Sequence, residues 1–222
     1  MADQYHIDTQ KYSLDKFKDN IQSRDMIPSR VILKEDVDER FEILKHSGID
    51  NLKDLLGALN TKTKIEKFSN QTGLSIEYLT ILKREANSYL PSPVRLSAFS
   101  GIPGKYVEKL EANGIKNSRQ LFNQAQDRAE RYNLAQSTNI PIGTLNELVC
   151  LSDLARAYGV GPVFARMLYD VGITTIKEFA GYTAEEIIEI YENKEKKKAD
   201  FSVDDIQFSL EVAQALDMAV DI

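Results

Sequence analysis

Two short segments carry most of the chemistry this sequence offers. One reads Gly101-Ile102-Pro103-Gly104-Lys105, with Lys109 one helical turn further on. The other reads Gly159-Val160-Gly161-Pro162, with Arg166 following. Glycines in a turn let the main chain come close to a ligand, and the unpaired amides at the start of the next helix point outwards. Together they make an anion site suited to a phosphate. The same glycines are also what two helices need in order to cross closely, in which case Phe99, Tyr158 and Phe164 are core or interface residues. The residue types alone leave both readings open.

Enzymatic readings fail on spacing. The first glycine of Gly101–Lys105 stands too near the lysine for a Walker loop, and Tyr106 replaces the hydroxyl that would hold magnesium. Gly159-x-Gly161 lacks the third glycine and the preceding strand of a dinucleotide fingerprint. The single cysteine, Cys150, lies on an apolar helical stretch from Leu145 to Leu151, where a buried small hydrophobe is expected rather than a nucleophile. One cysteine and two histidines, His6 and His46, leave no set of metal ligands, and His46 beside Ser47-Gly48 reads as a helix-end residue. No catalytic residue, metal or cofactor is expected. Glu185-Glu186 and Asp204-Asp205 fall at expected helix starts, where acids complement the dipole. The basic run Lys194 to Lys198, interrupted by Glu195, reads as a solvated turn.

Composition agrees with a binding role. The chain has 222 residues, 42% hydrophobic and 28% charged, which suits a folded soluble protein. With no long apolar run and a polar start, a membrane span or secretory signal is not expected, and the cytoplasm is the expected location. The formal net charge of −6 is uneven: residues 1–94 carry −1, residues 95–180 carry +2 and residues 181–222 carry −7. A net of +2 across the segment holding both glycine turns is small for a protein that grips nucleic acid.

The elements that must position these turns repeat along the chain. Leu-x-x-x-Gly-Ile occurs as Leu44…Gly48-Ile49, Leu110…Gly114-Ile115 and Leu168…Gly172-Ile173, with glycines 66 and 58 residues apart. Each is followed by an amphipathic stretch, 52–59, 118–125 and 175–180. Gly114 and Gly172 should end helices in the left-handed conformation. Further on, Ser69-x-x-x-Gly73-Leu74-Ser75 matches Ala135-x-x-x-Asn139-Ile140-Pro141 and, more faintly, Lys196-x-x-x-Asp200-Phe201-Ser202. Helices over 76–86, 142–156 and 203–216 follow, with Ser75 and Ser202 as N-caps. Period-two alternation is absent, so the fold class is all-α. The expected organisation is an N-terminal arm, 1–30, with a short helix presenting Leu14, Phe17 and Ile21 on one face and its first ten residues loose. Three tandem four-helix units then cover 31–90, 95–152 and 153–222, the first boundary falling at Pro91-Ser92-Pro93.

The order helix, Gly-apolar-(Pro)-Gly turn, helix, Gly-Ile resembles the helix-hairpin-helix family of nucleic-acid-binding modules. The wider arrangement, over about residues 31–217, resembles an uncharacterised bacterial domain-of-unknown-function family of tandem helix-hairpin-helix-like units. The resemblance implies backbone-phosphate contact at the turn without base reading. On this chain it assigns that role to Gly101, Gly104, Lys105 and Lys109 in the second unit, and to Gly159, Gly161 and Arg166 in the third. Val163 and Phe164 depart from the pattern, and the first unit departs altogether. Its aligned stretch, Glu35-Asp36-Val37-Asp38-Glu39, has no glycine and four carboxylates, so it should repel phosphate. Some members of the resembled family also hold a monovalent cation on hairpin carbonyls.

The second motif resembles a helix-turn-helix, with an ordinary helical corner as the alternative. Its second helices would present Glu77, Tyr78, Lys83 and Arg84, then Gly143, Thr144, Asn146 and Glu147, then Asp204, Asp205 and Gln207. The last set has the wrong sign for DNA. The function expected from these residues is that of a non-enzymatic helical scaffold for a protein partner. The alternative is weak, salt-sensitive, sequence-independent binding of DNA or RNA through the hairpin turns.

Overall fold

The computed structural model describes residues 4–222. Among them are thirteen α-helices and two short 3-10 helices, with no strand. None of these helices is long and apolar enough to cross a membrane. The described chain divides into two compact units, Ile7–Leu90 and Pro91–Ile222, and residues 4–6 belong with the second.

In the first unit, α1 (Leu14–Ser23), α2 (Val37–His46), α3 (Leu52–Ala58), α4 (Lys62–Thr72) and α5 (Ile76–Ser88) follow in order, with a 3-10 helix at Pro28–Leu33. Helix α5 packs on α3, α4 and the 3-10 helix, and α1 packs on α2. Leu14, Phe17 and Ile21 are buried, as their three- and four-residue spacing predicts. Phe17 meets Phe41 and Tyr89 edge-on or tilted. Glu85 is wholly buried on α5, and Arg24 and Arg30 reach it as ion-pair partners.

The second unit contains α6 (Gly104–Ala112), α7 (Ser118–Phe122), α8 (Arg128–Thr138), α9 (Ile142–Leu154), α10 (Pro162–Asp170), α11 (Ile176–Phe179), α12 (Ala184–Glu195) and α13 (Val203–Ala213). Helix α9 is its centre and touches α7, α8, α10 and α11. That explains why every residue from Leu148 to Leu154 is buried, against the one-sided pattern of a surface helix.

One local device recurs in both units. The amides of Ile49, Ile115 and Ile173 donate to the carbonyls of Leu44, Leu110 and Leu168 at 3.2, 2.9 and 2.9 Å. The glycine between lies at φ 82°, 81° and 97°. This six-residue closure satisfies carbonyls that a helix end leaves unpaired, and it requires the left-handed backbone that glycine adopts most readily. Asn51, Asn117 and Thr175 then cap the next helix, each side chain accepting the amide three residues on. A helix stop and the next start are thus written within eight residues.

Several expectations are corrected. Helices α7, α11 and α13 end at Phe122, Phe179 and Ala213, short of the predicted 125, 180 and 216. Of the first ten residues, Tyr5 and Ile7 are buried rather than loose. Tyr5 packs edge-on against Phe122 and shares a 2.6 Å hydrogen bond with Ser118; residues 1–3 lie outside the described residues. Helix α12 ends on Lys196 in the left-handed conformation, at φ 56°, four residues before Asp200, which the faint third repeat aligns with Gly73 and Asn139. The turn before α13 is therefore longer than its counterparts at Gly73 and Asn139. It is held by the Ala199 amide donating to the Glu192 carboxylate, and by Phe201 packing on Tyr191 and Phe164.

Candidate functional site

The first glycine turn lies just before α6. Gly101 has φ 82°, and α6 starts at Gly104 behind Pro103, with no side chain capping its first amides. Lys105 is exposed on the first turn. Its Nζ stands 4.9 Å from the centre of the Tyr106 ring, and Lys109 Nζ stands 5.8 Å from the same ring. Lys109 also donates to the carbonyl of Asn139, the left-handed residue closing α8, at 2.6 Å. Space remains around Gly104: a side-chain carbon placed there would meet nothing within 4 Å.

The second turn is built differently. Gly159, at φ 73°, lies so close to Ser209 that an added Cβ would stand 3.0 Å from its Oγ. Gly161 precedes α10 in ordinary extended backbone, and Pro162 opens the helix. Val163 is 82% exposed. An open groove of about 680 Å³ runs beside this turn, floored by Phe164, Met167, Tyr191 and Phe201 and rimmed by Asp170, Glu195, Asp200 and Lys197.

Arg166 decides what these turns can do together. Its guanidinium donates to Glu147 at 2.5 Å and to Asp170 at 3.0 Å, and lies over the Tyr169 ring at 5.1 Å. Burial by itself would lower its pKa, but the hydrogen bonds to Glu147 and Asp170 outweigh that and hold it above its ordinary value. Across the unit, Gly101 lies against the same guanidinium: a Cβ on Gly101 would sit 3.4 Å from Arg166 Cζ. Gly101 of the first turn thus lies against an arginine on the helix that follows the second turn, and that charge is already matched by two carboxylates. Lys105 and Lys109 point into a separate depression of about 510 Å³, bounded on its far side by Tyr132 and Ile142.

A family model for a domain of unknown function (DUF4332) matches residues 100–214, just over half of the chain. The chain belongs to the DUF4332 family. The DUF4332 match begins immediately before Gly101 and ends just after α13, so it takes in both glycine turns and the Gly101–Arg166 contact. Neither a curated protein nor a solved structure matches the chain.

The remaining candidates are placed as follows. Cys150 is buried on α9, and burial, with Asp153 nearby, pushes its thiol up to about 12. The His46 ring meets the Glu42 carbonyl at 2.7 Å, at the end of its own helix. Among the described residues no three His, Cys, Asp or Glu side chains gather as metal ligands. Tyr78, expected on a presented face, is buried instead beneath the Arg40 guanidinium. Glu147 likewise faces Arg166 rather than open solvent. Sequence reasoning missed Tyr132 and Ile142, both exposed, and missed the wholly buried Arg156. The signal for the last was present as Asp153 three residues before it on a helix.

Proposed function

We propose that this protein is a non-enzymatic interaction module of the cytoplasm, a helical scaffold that binds a protein partner. It is built from an arm and three tandem, helix-hairpin-helix-like units at 31–90, 95–152 and 153–222. The observation that carries the reading is the joint at Arg166. A turn that binds phosphate keeps its cation unpaired, whereas here the Arg166 guanidinium lies against Gly101 and is neutralised by Glu147 and Asp170. The surface left beside the third-unit turn is mostly apolar, with Arg166 and Lys197 facing Asp170, Glu195 and Asp200 along it, a mixed surface that suits a protein better than a phosphate backbone.

Affinity capture from cell extract with the wild-type chain and with Val163→Asp tests this. The exposed substitution leaves the core intact, so the reading expects a defined protein retained by the wild type and lost by the variant. Identical captured sets, or substrate turnover abolished by a turn mutation, would overturn it. One observation favours the second reading, phosphate contact: among the described residues Lys105 and Lys109 pair with no carboxylate. That reading predicts DNA binding that falls steeply with salt and is lost in Lys105→Glu/Lys109→Glu.

A further inference from the structure

The depression facing Lys105 and Lys109 shares Tyr132 and Ile142 with a neighbouring one of about 940 Å³, which Arg128, Arg131, Asn146 and Ile222 help to line. Three features of this pair of depressions, taken as one groove, point to one kind of occupant. Its apolar surface is unusually open, with Tyr132 59%, Ile142 44% and Ile222 58% exposed. Among the described residues no acidic side chain lines either part, although acids outnumber bases in the whole chain 34 to 28. Lys105, Lys109 and Arg128 carry its charge, while Arg131, almost completely buried, is turned to the backbone carbonyls of Ala125, Gln126 and Asp221.

We propose that this groove seats an acidic amphipathic segment of a protein partner. Apolar side chains of the segment rest on Tyr132 and Ile142, and its carboxylates face Lys105, Lys109 and Arg128. Arg128, Tyr132 and Gln136 follow one another at four-residue spacing along α8. At about 1.5 Å per residue, the eleven residues of that helix offer a face about 16 Å long, or three turns of a bound helix. The site is distinct from the mostly apolar groove at Val163. It rests on the reading of the chain as a protein-binding module.

The test is fluorescence anisotropy of the full chain with a labelled amphipathic helix of roughly 18 residues, Leu on one face and Glu on the other. A Lys-for-Glu version of that peptide and a labelled single-stranded DNA are run beside it. Saturable binding of the Glu peptide is expected, weakened at least tenfold by Lys105→Glu/Lys109→Glu and separately by Tyr132→Ala. All these positions are accessible, and an unchanged circular dichroism spectrum shows that each variant folds. No binding of the Glu peptide, equal binding of the Lys peptide, or indifference to both variants overturns the groove assignment. If capture still depends on Val163, the module reading stands without this groove. DNA binding abolished by the lysine reversal overturns both.

Discussion

Arg156→Met keeps the length of the aliphatic stem and removes a guanidinium from a site with no solvent exposure. In the native chain Nη1 donates to Asp153 at 2.5 Å, Nε to the Tyr5 carbonyl at 3.1 Å, and Nη2 to the carbonyls of Gln4 and Asp217 at 2.8 and 2.9 Å. The group also lies 4.2 Å from the centre of the Phe122 ring. One side chain thus holds segments from both ends of the sequence against α9. Removing one member of a buried ion pair costs about 3–5 kcal/mol, because the other charge stays behind. The carbonyls of Gln4 and Asp217, on exposed residues, regain water and add little. At about 2–4 °C per kcal/mol for this size, the transition of the Pro91–Ile222 unit should fall by roughly 6–20 °C. The loss should also depend on pH. Burial raises the Asp153 carboxyl above its ordinary value, and Arg156 is the largest opposing influence. Without Arg156 the folded-state pKa rises further above the unfolded one. The folded variant therefore gains stability as pH falls through that window and loses it as pH rises. Urea unfolding at pH 5 and pH 8, with hydrogen exchange at the Ile176 amide that donates to Asp153, measures both effects. A loss below about 1 kcal/mol, or a larger loss at pH 5 than at pH 8, refutes the reasoning.

Three further outcomes are expected. Cys150, with its thiol pushed up to about 12, should give no reaction with a disulfide reagent at pH 8 until the chain is unfolded; one equivalent titrating promptly in the native protein contradicts its burial. Gly101→Ala should destabilise by about 1–2 kcal/mol, because φ 82° is left-handed, whereas Gly104→Ala, in open helical backbone, should be neutral or stabilising by up to about 1 kcal/mol. Thermal unfolding of the pair decides it, and equal shifts would show that the two glycines do not differ in this way. Glu85→Ala leaves Arg24 and Arg30 without their shared carboxylate and should lower stability by about 3–5 kcal/mol, as for a broken buried pair. A calorimetric scan in which no transition moves would contradict that.

Local chemistry made much of this fold readable. The Leu-x-x-x-Gly-Ile caps, the N-caps Ser75 and Ser202, the buried face of α1 and the burial of Cys150 all follow from spacing and residue type within a few turns of chain. What was not readable depends on partners distant in sequence. Tyr5 stands in a polar stretch and is buried only because Phe122 and Ser118 receive it. Lys196 adopts a conformation lysine seldom takes because α12 ends there and an aromatic cluster holds the loop beyond. Arg166 looked like a free cation beside a turn. Asp170, four residues on, was a visible partner, but Glu147 on another helix and the approach of Gly101 were not. The sequence placed Gly101 and Gly159 in turns, where both take positive φ, but gave no sign that Gly101 lies against Arg166.

The central claim is that the glycine turns hold the molecule together and that its partner is a protein. The most direct measurement is a titration of labelled duplex and single-stranded DNA with the wild-type chain at about 50 mM salt, where phosphate contacts are strongest. The account predicts no saturable binding, and no difference between the wild type and Lys105→Glu/Lys109→Glu. Saturable binding that weakens steeply with salt and disappears in the double variant would contradict it.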